Sequence, residues 1–170
     1  MSNIQGDEIR GRLSAGRYTT GGALAVPAWT LETLNESSAN AVALAYGGET
    51  LRQGEHEFHT TLPQAQIPIA HAEVELGAEL DAWGREVSRI VFRLVRAPAL
   101  GYFALASSSE EFASSLKSAA EMESRERRGM TLDLRVRRMA TRSGMQVMYA
   151  WPIARVGVGE TCGTGFGLIA

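Results

Sequence analysis

Cysteine is almost missing from this chain: Cys162 is the only one, so no disulfide can form within it. That excludes a disulfide-stapled fold and a cysteine-cluster metal site, and a reducing compartment is expected. Long apolar runs are also missing. No stretch approaches the ~18 residues of a membrane-spanning helix. The opening residues, MSNIQGDEIR, hold no basic segment followed by an apolar one, so no secretory leader is expected and the expected location is cytoplasmic. Lysine is scarce as well: Lys117 is the only lysine among 17 basic residues.

What is present suits one ordinary domain. The 170 residues are 45% hydrophobic and 21% charged, enough to bury a core without staples. The net charge of −2 carries no message, but its distribution does. Residues 1–84 carry a net −7 and residues 85–155 a net +6. The basic half is built from arginine, whose planar guanidinium pairs with phosphate or carboxylate through two hydrogen bonds.

Residues 1–22, polar and glycine-rich, read as a flexible N-terminal arm, leaving 23–170 as a single α+β domain. Strand formers follow at 24–33, where Pro27 argues for an edge or a bulge. Ser37 and Ser38 are candidate caps for a helix over 39–46, stopped by Gly47 and Gly48. Residues 49–60 read as a short hairpin around Gly54, and 66–76 as another extended segment. The strongest strand is 87–96, VSRIVFRLVR. A short strand at 102–106 precedes the capping box Ser107-x-x-Glu110, which predicts a helix over 108–126. Residues 130–139 alternate cleanly, and the TRSG turn at 141–144 joins them to 145–153 as a hairpin. This order predicts a ferredoxin-like split βαβ sheet with two helices on one face, an inserted β-hairpin and a C-terminal glycine-rich loop.

The most pointed chemical feature is basic. Arg135 and Arg137 share a strand face, and Arg138 and Arg142 lie toward the turn. They suit phosphate, an acidic partner surface, or simple exposure to solvent. Arg125, Arg127 and Arg128 close the predicted helix and favour its C-terminal dipole. His56 and His59 are expected on opposite faces of their strand, which disfavours a two-histidine metal site. The acidic series Glu55, Glu57, Glu73, Glu75, Glu79 and Asp81 reads as a solvated face rather than a Mg²⁺ site. Trp29, Trp83 and Trp151 are expected in the core or an interface, and one of Tyr102 and Phe103 must face inward. In the tail, Gly157, Gly159, Gly165 and Gly167 form a spaced glycine pattern. Glycine lets backbone N–H groups approach a phosphate closely. No catalytic residue, metal or cofactor is expected.

Five ordered segments carry a resemblance: AVPAWTLETLNESSANAVALAYGG (25–48), HEFHTTLPQAQIPI (56–69), Trp83-Gly84, LVRAPALGYFALASSS (94–109) and TLDLRVRRMATRSGMQVMYAWPI (131–153). Together they resemble the recombination directionality factors that accompany phage serine integrases. The resemblance implies binding to a serine integrase on its attachment-site DNA, favouring excision. Longer members of that family carry a cysteine-rich insertion after the Trp-Gly element. Here Trp83-Gly84-Arg85 runs almost directly into Val87, and that insertion is absent. The tail resembles the glycine-rich loop of RAMP-type CRISPR proteins instead. That implies a guide-RNA-binding subunit of a ribonucleoprotein, with His56 or His59 as a general base if it processes RNA. A homo-oligomeric scaffold protein is the third reading. No membrane partner is expected.

Overall fold

A computed structural model describes residues 8–18, 26–126, 129–140, 142–144 and 146–157. Nine strands and two helices follow one another: β1 (Ile9–Tyr18), β2 (Val26–Thr33), α1 (Glu36–Tyr46), β3 (Glu49–Gly54), β4 (Glu57–Leu62), β5 (Gln66–Leu80), β6 (Glu86–Leu94), β7 (Tyr102–Ser107), α2 (Glu110–Glu126), β8 (Met130–Ala140) and β9 (Gln146–Val156). They form one mixed sheet in the order β3-β4-β2-β1-β7-β6-β5-β8-β9. Only β1 and β7 are parallel neighbours; every other adjacent pair is antiparallel.

The sheet begins where a flexible arm was expected. Residues 9–18 form β1, an interior strand of the sheet between β2 and β7. The signal was hidden because small residues occupy its positions. Gly11 is required by close approach: a Cβ there would lie 2.2 Å from the Glu32 carbonyl oxygen. Gly11→Ala is therefore expected to cost about 1–3 kcal/mol through overpacking, read as a lower urea midpoint. An unchanged midpoint would mean that β1 and β2 separate without penalty. Pro27 sits in β2 opposite Arg17 of β1, ahead of the point at Trp29 where β4 joins. Its missing N–H thus falls where the second neighbour is absent.

The helix boundaries move by a few residues, each for a capping reason. Asn35, not Ser37 or Ser38, caps α1: its side chain accepts from the Ser38 N–H at 3.0 Å. Gly47 ends that helix with φ 68°, a left-handed turn that glycine adopts without penalty. Ser109, not Ser107, caps α2 by accepting from the Phe112 N–H at 3.3 Å. β5 runs on to Leu80 through two irregularities in its pairing with β6.

One apolar face holds the molecule together. Leu13, Leu31, Leu62, Ile67, Ile90, Phe92, Phe103 and Leu132 all point to it, and both helices cover it with Val42, Tyr46, Phe112, Leu116 and Ala119. The sheet curls until β9 returns toward β1 and β2. At the closure, the Ala65 carbonyl accepts from Trp29 Nε1–H at 3.1 Å and from the Leu134 N–H at 2.9 Å. α2 runs along β9, where the Ala154 N–H donates to Ser115 Oγ at 2.9 Å.

The architecture is thus α+β, a mixed sheet with two helices against one face. One split βαβ unit is present: β2 and β3 run parallel, joined by α1, with β4 between them. The second unit expected of a ferredoxin-like path does not form. β7 and β8, joined by α2, run antiparallel because both β6 and β5 intervene.

Candidate nucleic-acid interface

The β8–β9 hairpin changes character along its length. At its base both faces are packed: Thr131, Leu132, Asp133, Ile153 and Ala154 are all buried. Beyond Leu134 it emerges as a two-stranded ribbon, with Arg135, Val136 and Arg137 exposed. The antiparallel register places Arg135 opposite Trp151 and Arg137 opposite Tyr149. Directly opposed residues project from the same face. The ribbon therefore carries two arginines and two aromatics side by side.

These side chains differ in how firmly they are held. Trp151 Nε1–H donates to Glu111 of α2 at 2.6 Å, fixing its indole against the helix. Tyr149 is half exposed. Arg137 and Arg142 make no hydrogen bond or ion pair among the described residues. Arg135 contributes only its field, acting on Asp133. Arg142 is exposed in the turn beyond. Arg138 stands opposite Met148, in the alternate position of the ladder; its side chain lies outside the described residues. A row of free guanidiniums beside an exposed ring offers cationic and stacking contacts to one ligand.

Beneath the ribbon lies an ion pair between a buried carboxylate and a half-buried guanidinium. Asp133 pairs with Arg155, while Asp133 Oδ1 and Thr131 Oγ1 have no hydrogen-bond partner among the described residues. Burial raises the Asp133 carboxyl above its ordinary 3.8, and Arg155 and Arg135 oppose that rise. A carboxyl raised in the folded state holds its proton more tightly folded than unfolded. Its stabilising effect is full below 3.8 and is lost as pH climbs through the raised folded value. Asp133→Asn is expected to flatten this fall. Urea midpoints measured upward from pH 3.8 test it, and an identical slope in both proteins would contradict it.

Of the glycine pattern, Gly157 lies among the described residues. The Gly157 N–H donates to the Gly129 carbonyl at 2.9 Å, so it closes the ribbon base and is not directed at a phosphate. Gly159, Gly165 and Gly167 lie outside the described residues, as do Cys162, Arg127 and Arg128. Among the tryptophans, Trp29 is fully buried, whereas Trp83 is 79% exposed and is stacked by Arg85 at 5.1 Å. Phe103 faces the core, and Tyr102 lies under the Arg93 guanidinium at 4.4 Å.

The acidic series is dispersed. Glu75 pairs with Arg89 at 2.7 Å. Asp81 organises the β5–β6 turn, and the Arg85 backbone N–H, followed by the Arg85 side chain and the Trp83 N–H, holds its carboxyl below the usual range against a smaller opposing effect of desolvation. His56 is exposed in the β3–β4 turn rather than on a strand. The His71 side chain lies outside the described residues. His59 has a setting that strand alternation does not reveal: it stands opposite Glu32 of β2.

No family model matches the chain, and neither the curated proteins nor the solved structures contain a significant match to it.

Proposed function

We propose that the protein is a non-catalytic, nucleic-acid-associated adaptor whose contact element is the β8–β9 ribbon. One observation carries this reading: Arg135 and Arg137 are exposed and, among the described residues, unpaired by hydrogen bond or ion pair, on the face that also presents Trp151 and Tyr149. Guanidiniums grip phosphate, and an exposed aromatic stacks on a base without demanding a sequence. A two-stranded ribbon also fits the major groove of duplex DNA.

Within this class, the recombination directionality factor is the preferred reading. The adaptor would bind a serine integrase on attachment-site DNA and shift it toward the conformation that excises. That requires different affinities for two integrase states and no chemistry of its own. The Trp-Gly element supports this reading. It crowns an exposed turn between β5 and β6, a position where relatives can carry an insertion without disturbing the core. Recombination with the integrase encoded nearest its gene is the test. Addition of the protein should favour attL × attR over attP × attB. An unchanged balance, with the integrase active, would reject the integrase role.

The exposed Tyr149 favours a single strand, which sustains the RAMP-like reading as the alternative. Under it the protein is a guide-RNA-binding subunit, and its ferredoxin-like character rests on the single β2–α1–β3 unit. Strong salt-dependent RNA binding with no effect on recombination would select it.

A further inference from the structure

We propose that Glu32, Glu57 and His59 form a binding site for Zn²⁺ or a similar borderline divalent cation on the outer face of β2 and β4. The inference is independent of the ribbon, which lies in another part of the sheet. His59 Nε2 lies 2.9 Å from Glu57 Oε1 and 3.4 Å from Glu32 Oε2. One ligand atom from each residue falls within 4.8 Å of the others. Backbone register builds this arrangement. Glu32 is directly opposite His59 in the β2–β4 ladder, and Glu57 precedes His59 by two residues, on the same face. The intervening residues Leu31, Thr33, Phe58 and Thr60 are buried on the other face, so the strands that carry the three ligands are fixed.

The chemistry favours a metal over a simple hydrogen bond. One ring nitrogen faces two carboxylates. It has at most one hydrogen to donate, so it cannot serve both fully. A cation seated between the three satisfies every donor atom at once, with the imidazole proton moved to Nδ1. Tetrahedral Zn²⁺ with bonds of about 2.0–2.2 Å sets its ligands about 3.4 Å apart. The Glu32 contact has that spacing already, and Glu57 needs only a small withdrawal. Arg12 Nη2 lies 3.3 Å from Glu32 Oε1, the other oxygen of that carboxylate, which leaves Oε2 turned toward His59. An imidazole with two carboxylates suits Zn²⁺ better than Mg²⁺ or Ca²⁺, which seek more oxygens. Water would complete the shell, since the site is partly exposed.

Calorimetry of the full chain, stripped with chelator and titrated with ZnCl₂, tests the proposal. One equivalent is expected to bind, and binding should persist in Cys162→Ser, which removes the chain's only thiol. His59→Ala, Glu57→Gln and Glu32→Gln should each raise the Kd by more than about tenfold, the lower range for loss of groups that merely support a ligand. His56→Ala should leave the Kd unchanged. Zn²⁺ should also raise the melting temperature of the parent and not that of His59→Ala, with circular dichroism confirming that the variant is folded. No saturable binding, or a Kd that survives His59→Ala, would overturn the site. So would binding lost in Cys162→Ser or His56→Ala.

Discussion

Replacing Trp29 with alanine is expected to remove about 3–5 kcal/mol of stability, the usual cost of deleting a large aromatic from a packed core. Domains of this size are stable by about 5–15 kcal/mol, so the variant should sit near the edge of folding. The reason lies in what the side chain joins. Trp29 is completely buried on β2, between Ala15 of β1 and Leu62 of β4. Its indole N–H also reaches across the curl to the Ala65 carbonyl, the acceptor that takes the Leu134 N–H of β8. One residue therefore fills the core and ties β2 to the segment before β5, on which β8 also bonds.

Trp29→Phe separates these contributions. It retains most of the apolar volume and loses the donor, while Ala65 keeps its bond from Leu134. The hydrogen-bond share of the loss is expected to be about 1 kcal/mol. Urea unfolding followed by fluorescence and by circular dichroism gives both numbers. A loss below about 1 kcal/mol in Trp29→Ala, small even for a core truncation, would show that the curl is held elsewhere.

Local patterns carried much of this fold. β6 and β8 were legible because apolar residues dominate or alternate over a full strand. The β8–β9 hairpin was legible because a turn signal sits between two such runs. A turn of four residues at 141–144 would set Arg135 opposite Ala150; the observed register, with Ala140 opposite Gln146, is one residue longer and sets Arg135 opposite Trp151 and Arg137 opposite Tyr149. β1 was illegible for a specific reason. Gly11 and Ala15 occupy positions where larger apolar residues would announce a strand, and Gly11 is small because the Glu32 carbonyl is so close. The helix caps misled by two or three residues because Asn35 and Ser109 each lie near serines able to cap.

Topology is less visible in sequence than the elements are. A helix between two strands suggests a parallel crossover, but α2 passes over both β5 and β6 before β8 begins, and the direction reverses. No local pattern records how many strands a helix crosses. The same holds for Glu32 and His59. They are far apart in sequence and meet only because β2 pairs with β4. Alternation predicted which face each occupies on its own strand and could not predict the neighbour.

Removing both Arg135 and Arg137 is expected to weaken binding to single-stranded nucleic acid by about 100-fold at low salt. Each charge-assisted contact contributes about 1.5 kcal/mol or more, and two make about 3 kcal/mol, or two decades in Kd. The loss must carry an electrostatic signature. Each phosphate contact contributes about 0.7 to the log–log salt slope for a single strand, so Arg135→Ala/Arg137→Ala should flatten the slope by about 1.4. Tyr149→Ala tests the other half of the face. Losing one stacked base costs about 1–3 kcal/mol but leaves the slope intact, because no counterion is released. Arg125, exposed at the end of α2, provides the control: Arg125→Ala should change neither quantity if α2 contributes only to the fold. Equal losses from Arg125→Ala and the ribbon pair would reduce the ribbon to a general effect of positive charge. A flattened slope confined to the ribbon, with stacking separable from it, would identify a surface that binds the phosphate backbone through arginine and the bases through Tyr149.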